Sequence, residues 1–223
     1  MNIKLFFWAI IKFSLGLIIV GLLLFLPANT FKYWNAWLFI CLLFVPMFIA
    51  GIVLMIINPD LLRKRLNAKE KEVKQKFVVL FSGLMFVLGF VIAGLNFKYE
   101  WLILPNIIVI ISSVLFIIAY ILYAEVLREN TYLSRTIEVQ ENQKVVDSGL
   151  YGIVRHPMYA VTILLFLTMP LILGSIYSFI IFLVYPFIIA KRIKNEEEVL
   201  ENNLEGYKEY KEKVKYKIIP FIW

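Results

Sequence analysis

The sequence predicts an all-α integral membrane protein: four transmembrane helices, then a C-terminal helical hairpin, with the polar segments gathered on the cytoplasmic side. Three observations carry this. The 223 residues are 61% hydrophobic and only 17% charged, where a soluble domain is nearer half apolar and a quarter charged. The apolar residues fall in runs of about 20 or more, enough to cross roughly 30 Å of hydrocarbon. The basic residues cluster in the segments that share one side of those runs.

The elements follow in order. Leu5–Leu26 is the first span, with Lys12 its only charge. Trp34–Ile57 is the second, with Trp34 and Trp37 as interface anchors and Pro46 as a kink site. Phe77–Phe97 is the third and Trp101–Tyr123 the fourth. Pro157–Ala190 runs 34 residues without a charge, too long for one upright helix at about 1.5 Å per residue. Pro170 and Gly174 interrupt it, so it reads as two short arms turning around Leu171–Ser175. The chain divides into the N-terminal helices, 1–123, and a C-terminal region, 124–223.

Charge placement gives the orientation. Asn58–Lys76 carries Arg63, Lys64, Arg65, Lys69, Lys71, Lys74 and Lys76, and the tail from Lys191 carries eight basic residues. The opposite side has only Lys32 and Lys98. Both termini are therefore expected in the cytoplasm. The first run is too long for a signal peptide and lacks a cleavage site, so it reads as a retained helix. Short loops without a targeting signal point to a prokaryotic plasma membrane. The net charge of +7 is accounted for by topology rather than by nucleic acid.

Several chemistries are excluded. A single histidine and a single cysteine, Cys41 inside an apolar run, do not make a zinc or haem site or an internal disulfide. No G-x-G-x-x-G follows a strand and no phosphate loop ends in Gly-Lys-Ser/Thr. No span carries an internal row of charges, as a pump or channel would.

Three polar segments converge on the cytoplasmic face. The first is Ala124–His156, with Arg128, Asn130, Arg135, Gln140, Gln143 and Lys144. The second is the corner Ser148–Tyr159, which holds the only histidine. Its glycines allow a sharp turn, and Pro157 suits a first helical position. Arg155, His156 and Tyr159 are thereby delivered to the mouth of a membrane helix. The third is Lys191–Leu200, where Arg192 and Glu196 are four apart and share a helical face. Bland roles compete with each. Arg, His and Tyr also serve as interface anchors, and Arg192/Glu196 also reads as a solvated pair. Arg63–Arg65 reads as a topology signal and lipid headgroup contact. Tyr207–Lys217, rich in Lys and Glu, reads as a surface helix near the headgroups.

At these blocks the chain resembles the isoprenylcysteine carboxyl methyltransferase family, whose wider group includes phospholipid N-methyltransferases. The resemblance covers roughly Gln140 to Pro220. It rests on Gly149-Leu150-Tyr151, on Arg155-His156-Pro157-Met158-Tyr159, on Arg192 with Glu196-Glu197 and Leu200, and on Tyr207, Tyr210 and Pro220. One departure is Leu204-Glu205-Gly206-Tyr207, one residue shorter than the family's Phe-Gly-x-x-Tyr, with the glycine displaced.

The resemblance implies an integral-membrane methyltransferase that uses S-adenosylmethionine in a cytoplasmic pocket and acts on a lipophilic acceptor from the bilayer. It assigns cofactor contacts to Gln140, Lys144, Val145, Val146, Tyr151, His156, Pro157, Met158, Tyr159 and Glu196, and places Arg192 near the acceptor. A carboxylate acceptor is already ionised at pH 7, and Arg192 suits it as a forked clamp. An amine acceptor needs a base, for which Glu197 and His156 are the candidates. Both acceptors stay open at this point, with carboxyl O-methylation favoured. Membrane sterol reductases share the C-terminal layout but bind NADPH, whose extra phosphate calls for arginines. The run Glu196-Glu197-Glu198 is unsuited to that. A non-catalytic lipid-binding protein is the remaining alternative.

Overall fold

The computed structural model describes residues 3–67, 73–134, 136–137 and 139–223. Lys69, Lys71 and Arg135, and the side chain of Lys74, lie outside the described residues. The described residues are helical without a strand: α1 Ile3–Ala28, α2 Trp34–Ile57, α3 Pro59–Leu66, α4 Val73–Tyr99, α5 Asn106–Glu129, α6 Pro157–Ile172, α7 Ile176–Phe182, α8 Tyr185–Asn203 and α9 Tyr207–Lys213. A 3₁₀ turn at Gly149–Gly152 precedes α6. Among the described residues, five segments are long and apolar enough to cross a membrane: α1, α2, Gln75–Tyr99, α5 and Ile176–Asn203. α6 is apolar but shorter.

The outer surface of the bundle is apolar. Ile11, Leu15, Ile18 and Leu22 of α1 recur at helical spacing and are all about half exposed or more, as a lipid-facing stripe requires. Cys41 also faces outward from α2. Inside, Phe39, Phe86, Phe90, Phe116 and Phe182 join α2, α4, α5 and α7 through tilted and edge-on ring contacts. Without a hydrophobic drive between helices in lipid, close packing holds such a bundle together. Gly94 shows how close: a Cβ there would lie 2.6 Å from the Leu24 carbonyl oxygen.

The fourth span starts later than expected, at Asn106 rather than Trp101. Pro105 occupies the cap with φ −59° and ψ 144°, and a proline disfavours helix at the residue before it. The side chain of Asn96 fills the gap, exchanging hydrogen bonds with the backbone of Leu102.

The hairpin turns where expected. α6 ends at Ile172 and Gly174 takes φ +74°. The apex is held by the start of α2. Tyr33 Oη–H donates to the Leu173 carbonyl at 2.6 Å, and Asn35 Nδ2–H to that of Ile172 at 2.9 Å. The apex therefore lies level with the α1–α2 turn, and the hairpin reaches the full height of the bundle. Its second arm is not one helix. It breaks at Leu183–Val184, because Pro186 in the first turn of α8 lacks an N–H for α7 to continue.

α3 was not foreseen as a helix. Asn58 caps it by accepting from Leu61 N–H at 3.1 Å, Asp60 sits in its first turn and Arg63–Arg65 in its last. That order matches the helix dipole. Lys12 of α1 donates to the Leu66 carbonyl, which sets the first half of α1 beside the end of α3.

Candidate functional site

A cleft opens at the end of the bundle where α3, the 130–156 loop, the start of α6, the polar half of α8 and the tail meet. Its frame is an ion-pair node. Glu197 of α8 is buried, and its Oε1 lies 2.8 Å from both Arg155 Nε and Nη2 and 3.3 Å from His156 Nε2. Lys217 Nζ is 3.4 Å from its Oε2. Arg155 Nη1 donates to the carbonyls of Val214 and Lys215 at 2.6 and 2.8 Å. The backbone N–H groups of Arg155 and His156 donate to Tyr216 and Lys217 at 2.9 and 2.8 Å. One arginine thus ties the corner, α8 and the tail together.

The tail is a strap, which corrects the expected surface helix over Tyr207–Lys217. Helix α9 stops at Lys213, and Tyr207 and Tyr210 turn inward against Leu204, Val214 and Val145. Tyr210 Oη–H donates to the Tyr151 carbonyl at 2.7 Å. Charge alternation hid this, because the tyrosines at i and i+3 carry the burial.

The 3₁₀ turn is set by Glu129 at the end of α5, whose carboxylate accepts from Leu150 N–H at 2.9 Å. Gly149 has φ +55°, and a Cβ there would lie 1.7 Å from Glu129 Oε1. Gly149→Ala is therefore expected to destabilise the protein by about 2–3 kcal/mol, from a left-handed backbone plus the displaced Glu129 carboxylate. A thermal-unfolding series in detergent checks this.

Of the residues singled out from the sequence, Lys144, Val145, Val146, Tyr151, His156, Met158, Tyr159, Arg192 and Glu196 all line the cleft. Arg192 Nε–H donates to Tyr159 Oη at 2.8 Å, and Tyr159 Oη–H donates to Glu196 Oε2. The Arg/Glu pair is thus not a solvated helix pair: a buried phenol joins its members. Gln140 and Pro157 do not line the cleft. Gln140 braces the loop instead, donating to the Tyr132 carbonyl and accepting from Lys64 of α3. Pro157 is buried as the first residue of α6. Glu197, a candidate base, is taken up by the ion-pair node.

Sequence reasoning did not single out Tyr207 as a site residue. Tyr207 lines the cleft, and its hydroxyl is buried with no hydrogen-bond partner among the described residues. Burial pushes this phenol well above its ordinary pKa, so it stays a neutral O–H donor. α3 was also missed. Its Arg65 contacts Tyr123 Oη and the Ser134 carbonyl and lies 3.7 Å from Met158 Sδ, bracing the cleft from the N-terminal half.

The cleft combines a carboxylate, a guanidinium, neutral donors and apolar walls. S-Adenosylmethionine carries an ammonium, a carboxylate, ribose hydroxyls and a sulfonium. The donor set fits: Glu196 is an acceptor for cationic or hydroxyl groups, and the orphaned Tyr207 hydroxyl is a donor awaiting an acceptor.

Residues 108–202 match the family model for the isoprenylcysteine carboxyl methyltransferase (ICMT) family. The match begins inside α5, earlier than the motif blocks, and ends at α8, before the tail. The resemblance read from the sequence holds over residues 140–202, its tail block at Tyr207, Tyr210 and Pro220 lies outside the match, and the match supports a membrane methyltransferase. A comparison with curated proteins gave no match.

Proposed function

We propose that this chain, which carries the ICMT pattern over residues 108–202, is an S-adenosylmethionine-dependent methyltransferase that O-methylates the carboxylate of a lipophilic acceptor such as a prenylated cysteine. The observation that carries the proposal is the Arg192–Tyr159–Glu196 chain across the cleft. Glu196 faces the cofactor side with Lys144–Val146, Tyr151 and Tyr207, and Arg192 faces the acceptor. Residues 124–223 form the cofactor region, and 1–123 supply the helices past which the acceptor arrives from the bilayer.

Bound S-adenosylmethionine would supply an electrophilic methyl group on a sulfonium. The residues supply position. Arg192 would orient the acceptor carboxylate, already ionised at pH 7, towards that methyl group. No proton moves, so alignment carries the catalysis. This favours a carboxylate over an amine. Of the two candidate bases, Glu197 is bonded to Arg155, and His156 Nε2 faces Glu197 rather than the cleft chain.

The basic segments support a cytoplasmic cleft. Arg63–Arg65, the 130–156 loop and the tail share one end of the molecule. The first half of α1 lies beside them, so both termini are cytoplasmic in this reading, as in a prokaryotic plasma membrane.

The test is methyl transfer from labelled S-adenosylmethionine by the full-length protein in lipid. An N-acetyl-S-farnesylcysteine acceptor is compared with phosphatidylethanolamine. Base-labile label in the farnesylcysteine supports the proposal. Label in the amine lipid alone replaces it with N-methylation.

A further inference from the structure

We propose that Gln75 of α4 is an acceptor-binding residue: its side-chain amide shares the acceptor carboxylate with Arg192 and gives the subsite its preference for an anion. The inference rests on the reading of Arg192 as the acceptor clamp and deepens it.

Gln75 is fully buried. It lies on the inner face of α4 with Val78 and Met85, which are also buried. Its Oε1 is 3.5 Å from Arg192 Nη1, a long contact whose direction is fixed by chemistry. The guanidinium has only donors, so the amide oxygen must face it. The amide nitrogen is then one amide width away, and it is buried without a hydrogen-bond partner among the described residues. An unpaired donor is costly anywhere inside a protein and more so near hydrocarbon. Such a group persists where a ligand supplies the acceptor.

The two side chains present N–H groups of one polarity. Arg192 offers charged donors and Gln75 a neutral one, beside the cleft that Arg192 lines. A carboxylate, with two oxygens and several lone pairs, satisfies both at once. An ammonium would be repelled by the guanidinium charge. Gln75 lies in the first turn of α4, which packs against α8, the helix that carries Arg192. The signal in the sequence was one uncharged polar residue between Lys74 and Lys76, directly before an apolar run.

The experiment measures binding of two probes to the full-length protein in micelles saturated with S-adenosylhomocysteine. One is N-acetyl-S-farnesylcysteine. The other is N-acetyl-S-farnesylcysteamine, which lacks the carboxyl group. Gln75→Met keeps the size of the side chain and removes the donor. It is expected to weaken the acid about tenfold, the scale of one hydrogen bond to a charged group, and to leave the cysteamine unchanged. Gln75→Glu adds a carboxylate beside Arg192 and is expected to weaken the acid further. Retained binding of S-adenosylhomocysteine shows that each variant is folded. Equal affinity of wild type and Gln75→Met for the acid, or equal losses for both probes, overturns the assignment while leaving the methyltransferase reading intact. A wild type that does not discriminate between the probes contradicts the carboxylate reading itself, and the role of Gln75 with it.

Discussion

Replacing Arg155 by alanine is expected to lower the unfolding free energy by about 3–5 kcal/mol and to abolish S-adenosylmethionine binding. The magnitude follows from what remains behind. Arg155 and Glu197 have side chains only 4% and 6% exposed, and removing one member of a buried ion pair strands the other charge. The same substitution also frees the Val214 and Lys215 carbonyls and loosens the strap that carries Tyr207 and Tyr210. Arg155→Lys is expected to fare little better, because one ammonium cannot reproduce a planar fork that serves Glu197 and two carbonyls together. The double variant Arg155→Ala/Glu197→Gln removes the stranded charge and is expected to be more stable than Arg155→Ala alone. Thermal unfolding in detergent, with calorimetric titration of S-adenosylmethionine, measures both effects. Full cofactor binding by Arg155→Ala would show that the strap is dispensable.

Arg192→Lys is expected to lower the methyl-transfer rate about 10²–10³-fold while changing cofactor affinity by no more than about threefold. Arg192 meets the phenol of Tyr159 through Nε and extends its terminal nitrogens towards Gln75. A lysine keeps the charge but loses the fork that fixes the orientation of a carboxylate. Glu196 and the loop residues proposed to face the cofactor are not altered. Single-turnover rates with a prenylcysteine acceptor, beside equilibrium titration of the cofactor, separate the two effects. An equal loss in both would make Arg192 a structural support rather than an acceptor clamp.

Much of this site was legible in the sequence because its residues sit in short, spaced blocks. Arg155–Tyr159 and Arg192–Glu197 each place their side chains by local geometry: a corner ending in proline, and one turn of helix. The hairpin apex was legible through Gly174, which the backbone uses at positive φ. What was not legible depends on partners distant in sequence. Nothing local shows that Gln75 meets Arg192, that Gln140 braces Lys64, or that Tyr33 holds the hairpin apex. α3 is a different case, since Asn58-Pro59-Asp60 is a readable helix start that the basic triplet overshadowed. The tail misled because Lys and Glu alternate on its surface while Tyr207 and Tyr210 carry its packing.

Whether the cleft is a methyl-donor site is decided by calorimetric titration of the protein in detergent with S-adenosylmethionine and, separately, NADPH, for wild type and Glu196→Ala. Saturable one-to-one binding of S-adenosylmethionine that Glu196→Ala loses, and none of NADPH, is the expected result. Binding of NADPH, or a folded wild type that binds neither, would rule out a methyl-donor site in the cleft.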